Sequence, residues 1–193
     1  MTARTHDAAA LSLFTLYVLA APPGKQTVGT ALAAVLANQL GGIAPDIDQP
    51  TAPLWRNLPV GRYLGKVFGT LVGGHRFLCH SLLGLFGFGI VSMMGLQFLH
   101  PIMPNINIDF VWVAFMIGMV SHLIMDSLTK EGVPWLLPIP IKFGFPPVRR
   151  LRVTTGTWVE TVLILPGLVA FTIWLCSSNY NTLTDIIQHT LVQ

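Results

Sequence analysis

Eight ionisable residues of this chain lie in or beside long apolar stretches: His6, Asp46, Asp48, His75, His80, His122, Asp126 and Glu160. Ionisable groups at membrane depth are costly, so they mark function by default. Imidazole and carboxylate together hold zinc or manganese, and a water on such an ion becomes a nucleophile near neutral pH. The residue types therefore predict a membrane-embedded metal site.

Spacing turns the set into geometry. His122 and Asp126 are four apart in Ser121-His122-Leu123-Ile124-Met125-Asp126 and share one face of a helix, as a chelating pair requires. Asp46 and Asp48 are two apart, and if Pro45 leaves the segment extended both carboxylates point the same way. His75 and His80 would diverge on a regular helix, so His75 is expected to reach in from the Gly73-Gly74 turn. Arg76, four before His80, shares its face and puts a fixed cation beside the site, suited to a phosphate or carboxylate. Taken singly, each residue has a plainer role. A histidine in an apolar helix packs and hydrogen-bonds, His122 with Asp126 makes an interhelical bond, Asp46 and Asp48 form a turn, and Arg76 anchors topology. Their coincidence at one end argues for the site.

The elements that must position these groups follow from composition. Hydrophobic residues make up 52% of the chain and charged ones 10%, with mean hydropathy +0.64, against roughly 25% charged in a soluble domain. This is the composition of an integral membrane protein, and one all-α transmembrane domain spanning residues 1–193 is expected. A crossing helix needs roughly 20 mostly apolar residues. The charge-free intervals predict about five helices, near 6–21, 26–44, 77–99, 109–129 and 157–177, with Pro45 to Gly74 and Lys130 to Thr155 as connections. Gly41-Gly42 and Gly73-Gly74 mark close backbone approach. Cys79 and Cys176 fall at opposite ends of such a bundle, too far apart for a disulfide.

Threading five helices across the bilayer places Arg4, Arg56, Arg62, Lys66, Arg76, Lys130, Lys142, Arg149, Arg150 and Arg152 on one side and Lys25 alone on the other. The positive-inside rule makes the basic side cytoplasmic and sends the C-terminus outward. All eight candidates meet at that cytoplasmic end. His100 and His189 fall at the opposite face, and the five tryptophans fall mostly near helix ends, as an aromatic belt would. Residues 8–19 also resemble the apolar core of a signal peptide, but Asp7 and a single preceding arginine make a weak leader, and its loss would remove His6.

The succession Thr5-His6, Pro45-Asp46-Ile47-Asp48, Gly74-His75-Arg76-Phe77-Leu78-Cys79-His80-Ser81, Ser121 to Thr129, and Thr155-Gly156-Thr157 followed by Glu160 resembles the YdjM-type membrane-bound metal-dependent hydrolases. The resemblance spans roughly residues 5 to 160. Such proteins are regarded as distant relatives of zinc-dependent phospholipase C and the P1-type nucleases. That kinship implies a helical metal site acting on phosphoesters, with the eight residues as its ligands or their immediate neighbours. The family commonly has Gly and Thr where this chain has Phe77 and Cys79, so Cys79 offers a weak donor or a soft ligand there.

The resulting expectation is a hydrolase of the bacterial inner membrane that cleaves a phosphoester or other ester of a lipid or lipid-linked substrate. One to three divalent ions are expected, zinc foremost and manganese the alternative. Glu160 or Asp48 would act as general base and Arg76 would steady negative charge. The basic stretch Lys142 to Arg152 would attract anionic head groups. Two other classes use the same residues. A cation or proton transporter needs a polar path, and the outward half of the chain offers almost no polar groups. A metal that only braces helices needs the same ligands. No GxSxG elbow, P-loop or dinucleotide fingerprint is present, and no basic-aromatic surface suggests nucleic acid.

Overall fold

The computed structural model describes residues 1–74, 76–139 and 141–191. Helices α1 (Ala3–Ala20), α2 (Val28–Ile43), α5 (Leu82–Leu99), α6 (Ile108–Ser127) and α7 (Leu165–Ser178) are the long elements. Short helices α3 (Pro53–Arg56) and α4 (Gly61–Leu71) lie between α2 and α5, and α8 (Tyr180–Leu191) follows α7. Local sequence sets the starts. Thr27, Ser81 and Asn107 cap α2, α5 and α6 by accepting the backbone N–H three residues on, which satisfies donors that a helix start leaves orphaned.

The bundle is centred on α6, which packs against α1, α2 and α5, while α1 also packs against α2 and α7. Glycine lets α2 and α6 meet backbone to backbone. A Cβ at Gly41 would collide with the Phe115 carbonyl, and one at Gly118 with the Asn38 carbonyl. Small residues serve this purpose where lipid supplies no hydrophobic drive between helices. Polar contacts join the same helices: Asn38 Nδ2 donates to the Ala114 carbonyl at 3.1 Å, and Ser12 meets Thr172 at 2.7 Å across α1 and α7.

Four stretches are long and apolar enough to cross a membrane among the described residues: Val28–Asp48, Leu82–Ile102, Ile108–Ser127 and Val159–Ser178. Helix α1 falls short of that apolarity because its first turns carry Arg4, His6 and Asp7, and it packs against α6, α7 and α2.

Three local expectations change. Residues Ala44–Asp48 form a 3-10 helix with Pro45 in its first turn, not an extended segment. Proline's fixed φ suits a helix start as well as a strand. Asp46 and Asp48 therefore do not project in parallel. Residues Leu78–His80 form a second 3-10 turn, and α5 begins only at Leu82. Arg76 thus precedes the helix and shares no helical face with His80. Finally, the helix that continues into α7 opens as a π-helix over Val159–Ile164. Pro166 cannot donate to Val162 and crowds that carbonyl, so the preceding turn widens.

Candidate metal centre

Six side chains from four elements converge at one end of the bundle. α6 supplies His122 and Asp126, α1 supplies His6, the 44–48 turn supplies Asp46 and Asp48, and the 78–80 turn supplies His80. Two groups have ligand atoms mutually within 4.8 Å: His6, His122 and Asp126, and then Asp46, His80 and His122. His122 belongs to both. Its ring stacks on His6 at 3.8 Å between centroids and meets His80 edge-on at 5.2 Å.

The donor set fits a divalent cation. His122 Nδ1 lies 2.6 Å from the Gly42 carbonyl oxygen, which can only accept, so Nδ1 carries the proton and Nε2 keeps its lone pair. That Nε2 is buried and has no hydrogen-bond partner among the described residues, while Asp46 Oδ1 and Asp126 Oδ2 each stand 3.7 Å away. A buried acceptor aimed between carboxylates is costly unless something cationic is held there. His6 Nδ1 is likewise buried without a partner, and His6 Nε2 stands 3.3 Å from Asp126 Oδ1.

His80 is gripped from both sides. Its Nδ1 is 3.3 Å from Asp48 Oδ2 and its Nε2 is 3.6 Å from both Asp46 Oδ1 and Asp126 Oδ2. Burial works against its charge, but the contacts with Asp46 and Asp48 and the charges of Asp48 and Asp126 outweigh it, so its pKa is raised. The turn that places it is short because Ser81 Oγ donates back to the Leu78 carbonyl at 2.7 Å, and a Cβ at Gly84 would strike that same carbonyl.

Arg76 reaches the site through the backbone. Its φ of 57° is left-handed, a conformation that costs a non-glycine residue roughly 1–2 kcal/mol. Two anchors hold it: its N–H donates to Asp48 Oδ2 at 3.1 Å, and its guanidinium pairs with Asp126 Oδ2 at 2.9 Å. Further bonds run to Thr129 Oγ1 at 2.9 Å and Glu131 at 3.3 Å. Its Nε is buried with no acceptor among the described residues.

Glu160 stands apart from both ligand groups. One oxygen accepts from Thr2 N, Thr2 Oγ1 and Thr5 Oγ1 at 2.5, 2.8 and 2.7 Å, and the other from Gly156 N at 2.7 Å. Asp48 is similarly committed, to Arg76 N–H and His80. The two carboxylates expected to take a proton are thus the ones already surrounded by donors. The Met1 amino group also bonds Asp126 Oδ1 at 2.7 Å. His75 lies outside the described residues. Cys79 is buried, and burial followed by the Asp48 charge pushes its thiol up to about 12. It joins neither ligand group.

Sequence reasoning assigns no role to Thr2 or the Gly42 carbonyl, and includes Thr129 only as the end of the Ser121 to Thr129 motif. Thr129 bridges Arg76 and the Asp126 carbonyl, its own hydroxyl donating to the latter at 2.7 Å. The Gly41-Gly42 pair signalled close approach, which is how that carbonyl reaches His122.

The family described as YdjM inner membrane protein matches residues 1–184. The chain belongs to that family. It is 36% identical over 130 residues to the uncharacterized protein YvsG of Bacillus subtilis strain 168, covering 67% of this chain and 69% of the relative. No solved structure matches. The chain is thus a YdjM-family integral inner-membrane protein, an all-α bundle whose buried His/Asp cluster can hold one or more divalent ions.

Proposed function

We propose that this YdjM-family protein is a metal-dependent hydrolase acting on a phosphoester or other ester of a lipid or lipid-linked substrate, with its site toward the cytoplasm. The observation that carries the reading is the sharing of His122 between two three-ligand groups, with Nε2 bare at their junction. A divalent ion held there supplies Lewis acidity and lowers the pKa of a water. Zinc suits the mixed imidazole and carboxylate set.

The chain's own residues do the rest. Gly42 fixes the tautomer of His122, and Asp48 orients His80. Glu160 ties down Thr2 and Thr5 and so sets the start of α1, which presents His6. Arg76 holds Asp126 and keeps Nε for a negatively charged oxygen of the substrate. Asp46, whose side chain is 30% exposed while the other ligands are buried, marks the opening.

The test is purification in detergent, elemental analysis, and turnover of a chromogenic phosphodiester. His122→Ala removes the ligand common to both groups, so metal content and turnover should fall together, turnover by at least about 100-fold. Retained metal with no turnover in the native protein on any phosphodiester or carboxylic ester would leave only a metal that braces the bundle.

A further inference from the structure

Beside the metal cluster lies an apolar groove of about 540 Å³, framed by α4, the 78–80 turn and α5. Ligand pockets run to roughly 300–1,000 Å³. Ile47, Phe68, Leu78, Cys79, Phe86 and Gly87 are among its walls, and almost no polar surface faces it. Two features set it apart from an ordinary lipid-facing surface. Ile47 is the peptide neighbour of both Asp46 and Asp48, and Cys79 is the neighbour of His80, so the wall of the groove and the rim of the cluster are the same two turns. Asp46, the partly exposed ligand among the described residues, precedes the groove-lining Ile47 in the chain.

The groove is built rather than left over. α4 turns Gly61, Gly65 and Gly69 inward, and a Cβ at Gly65 would strike Trp55. Gly69 lets α4 close on the 44–48 turn, where its Cβ would come 2.5 Å from the Asp48 carbonyl. Trp55 Nε1 donates to the Ile47 carbonyl at 2.7 Å and pins that residue. On the far side α5 is one of the four stretches able to cross the membrane, and Leu83, Phe86 and Val91 are exposed on it. The groove therefore opens sideways toward hydrocarbon, which admits a chain from the bilayer and disfavours a water-soluble ester. Arg62 and Lys66 stand exposed on α4, where cations at a membrane surface meet anionic head groups.

We propose that this groove seats one hydrocarbon chain of an anionic amphiphile from the bilayer and delivers the polar group next to that chain to the opening at Asp46. This rests on the hydrolase reading for its chemistry but not for the binding itself. Gly87 gives the test, because a Cβ there meets nothing within 4 Å. Gly87→Phe fills the groove without moving the helix, and Gly87→Ala controls for loss of glycine.

The native protein and both variants, in nanodiscs of phosphatidylcholine, are given phosphatidic acid carrying a diazirine in one acyl chain. Cross-links are then located by mass spectrometry. The groove predicts label concentrated on residues 83–91 relative to the exposed Ile173 and Trp174 of α7, with that ratio falling at least about fivefold in Gly87→Phe and holding in Gly87→Ala. Equal labelling of α5 and α7, or a ratio indifferent to Gly87→Phe, would overturn it. Turnover adds a second readout. The ratio of p-nitrophenyl hexadecyl phosphate to bis(p-nitrophenyl) phosphate hydrolysis should drop about tenfold in Gly87→Phe, and an unchanged ratio counts against the groove. If the native protein hydrolyses neither, the hydrolase reading loses support while the labelling still decides the groove.

Discussion

The Nδ1 of His122 on α6 and the carbonyl of Gly42 on α2 are 2.6 Å apart, and that single contact couples helix packing to the His/Asp cluster. The carbonyl gets so close because Gly41 and Gly118 carry no Cβ between the two backbones. Adding a methyl at Gly41 forces α2 away from α6 and lengthens the bond that fixes the tautomer. Gly41→Ala should weaken metal binding about 10–100-fold, the usual effect of losing a ligand's supporting bond, and cost roughly 1–3 kcal/mol through overpacking. Chelator competition and thermal unfolding in detergent measure the two. A variant that loses stability but binds metal normally would break the proposed coupling.

Arg76 makes a different prediction because its charge is buried against Asp126. Removing one partner of a buried pair costs up to about 3–5 kcal/mol when the other is left alone, but Asp126 keeps the Met1 amino group at 2.7 Å. Arg76→Ala should therefore destabilise the metal-free protein by less than that, and added zinc should recover much of the loss, since a cation near Asp126 replaces the missing charge. Arg76→Lys keeps charge without the planar fork that reaches Asp126 and Thr129 together. It should restore stability while leaving turnover depressed at least about tenfold. The measurements are unfolding curves with and without zinc, and phosphodiester kinetics.

How much of this was legible in the sequence depends on the range of the interaction. The His122 and Asp126 pair was readable because helical period alone puts residues four apart on one face. That His6, Asp46 and His80 share their end of the bundle followed from charge-free interval lengths. That these groups meet at one end of the bundle was legible, but the direction of each side chain was not. Asp46 and Asp48 were expected to be parallel, and the 3-10 turn sends one toward the opening and the other toward Arg76, a choice that Pro45 permits either way. Glu160 shows the same limit: its place at the start of a span says nothing of the Thr2 and Thr5 hydroxyls, which arrive from the far end of the chain. α4 escaped notice because Arg62 and Lys66 interrupt its apolar residues. It lay inside the stretch Pro45 to Gly74 read as a connection, and its three glycines form its packing face. α8 escaped because its residues are mostly polar.

His80 predicts how pH acts. Its pKa is raised above the ordinary 6.5 by Asp46, Asp48 and Asp126 against the pull of burial. A group whose pKa rises on folding adds stability that is fully present below its unfolded value and is lost as pH climbs through the folded value. The metal-free protein should thus lose stability as pH rises above about 6.5. Metal binding runs the other way, because the proton on His80 must leave before its nitrogen can bind an ion. Metal affinity should fall steadily on acidification below that folded pKa. Unfolding of the chelated protein and zinc titrations across pH 6–9 test both slopes, and opposite signs are the signature. If both slopes shared a sign, His80 would not be the proton-linked group.

Glu160 supplies the sharpest separation of ligand from positioning residue. Its carboxylate accepts four bonds, three of them from Thr2 and Thr5 at the start of α1. Hydrogen bonds to a charged group contribute about 1.5–3 kcal/mol each, so the cradle holds the helix that carries His6. Glu160→Gln retains the shape but weakens each bond and turns one acceptor into a donor facing Gly156 N–H or the threonines. The variant should keep the native metal stoichiometry while losing several degrees of thermal stability and binding the ion near His6 less tightly. His6→Ala should lose metal outright. Combining the two should add little to the metal defect of His6→Ala, since Glu160 acts through His6. Loss of a full equivalent of metal in Glu160→Gln, with thermal stability unchanged, would instead make Glu160 a ligand.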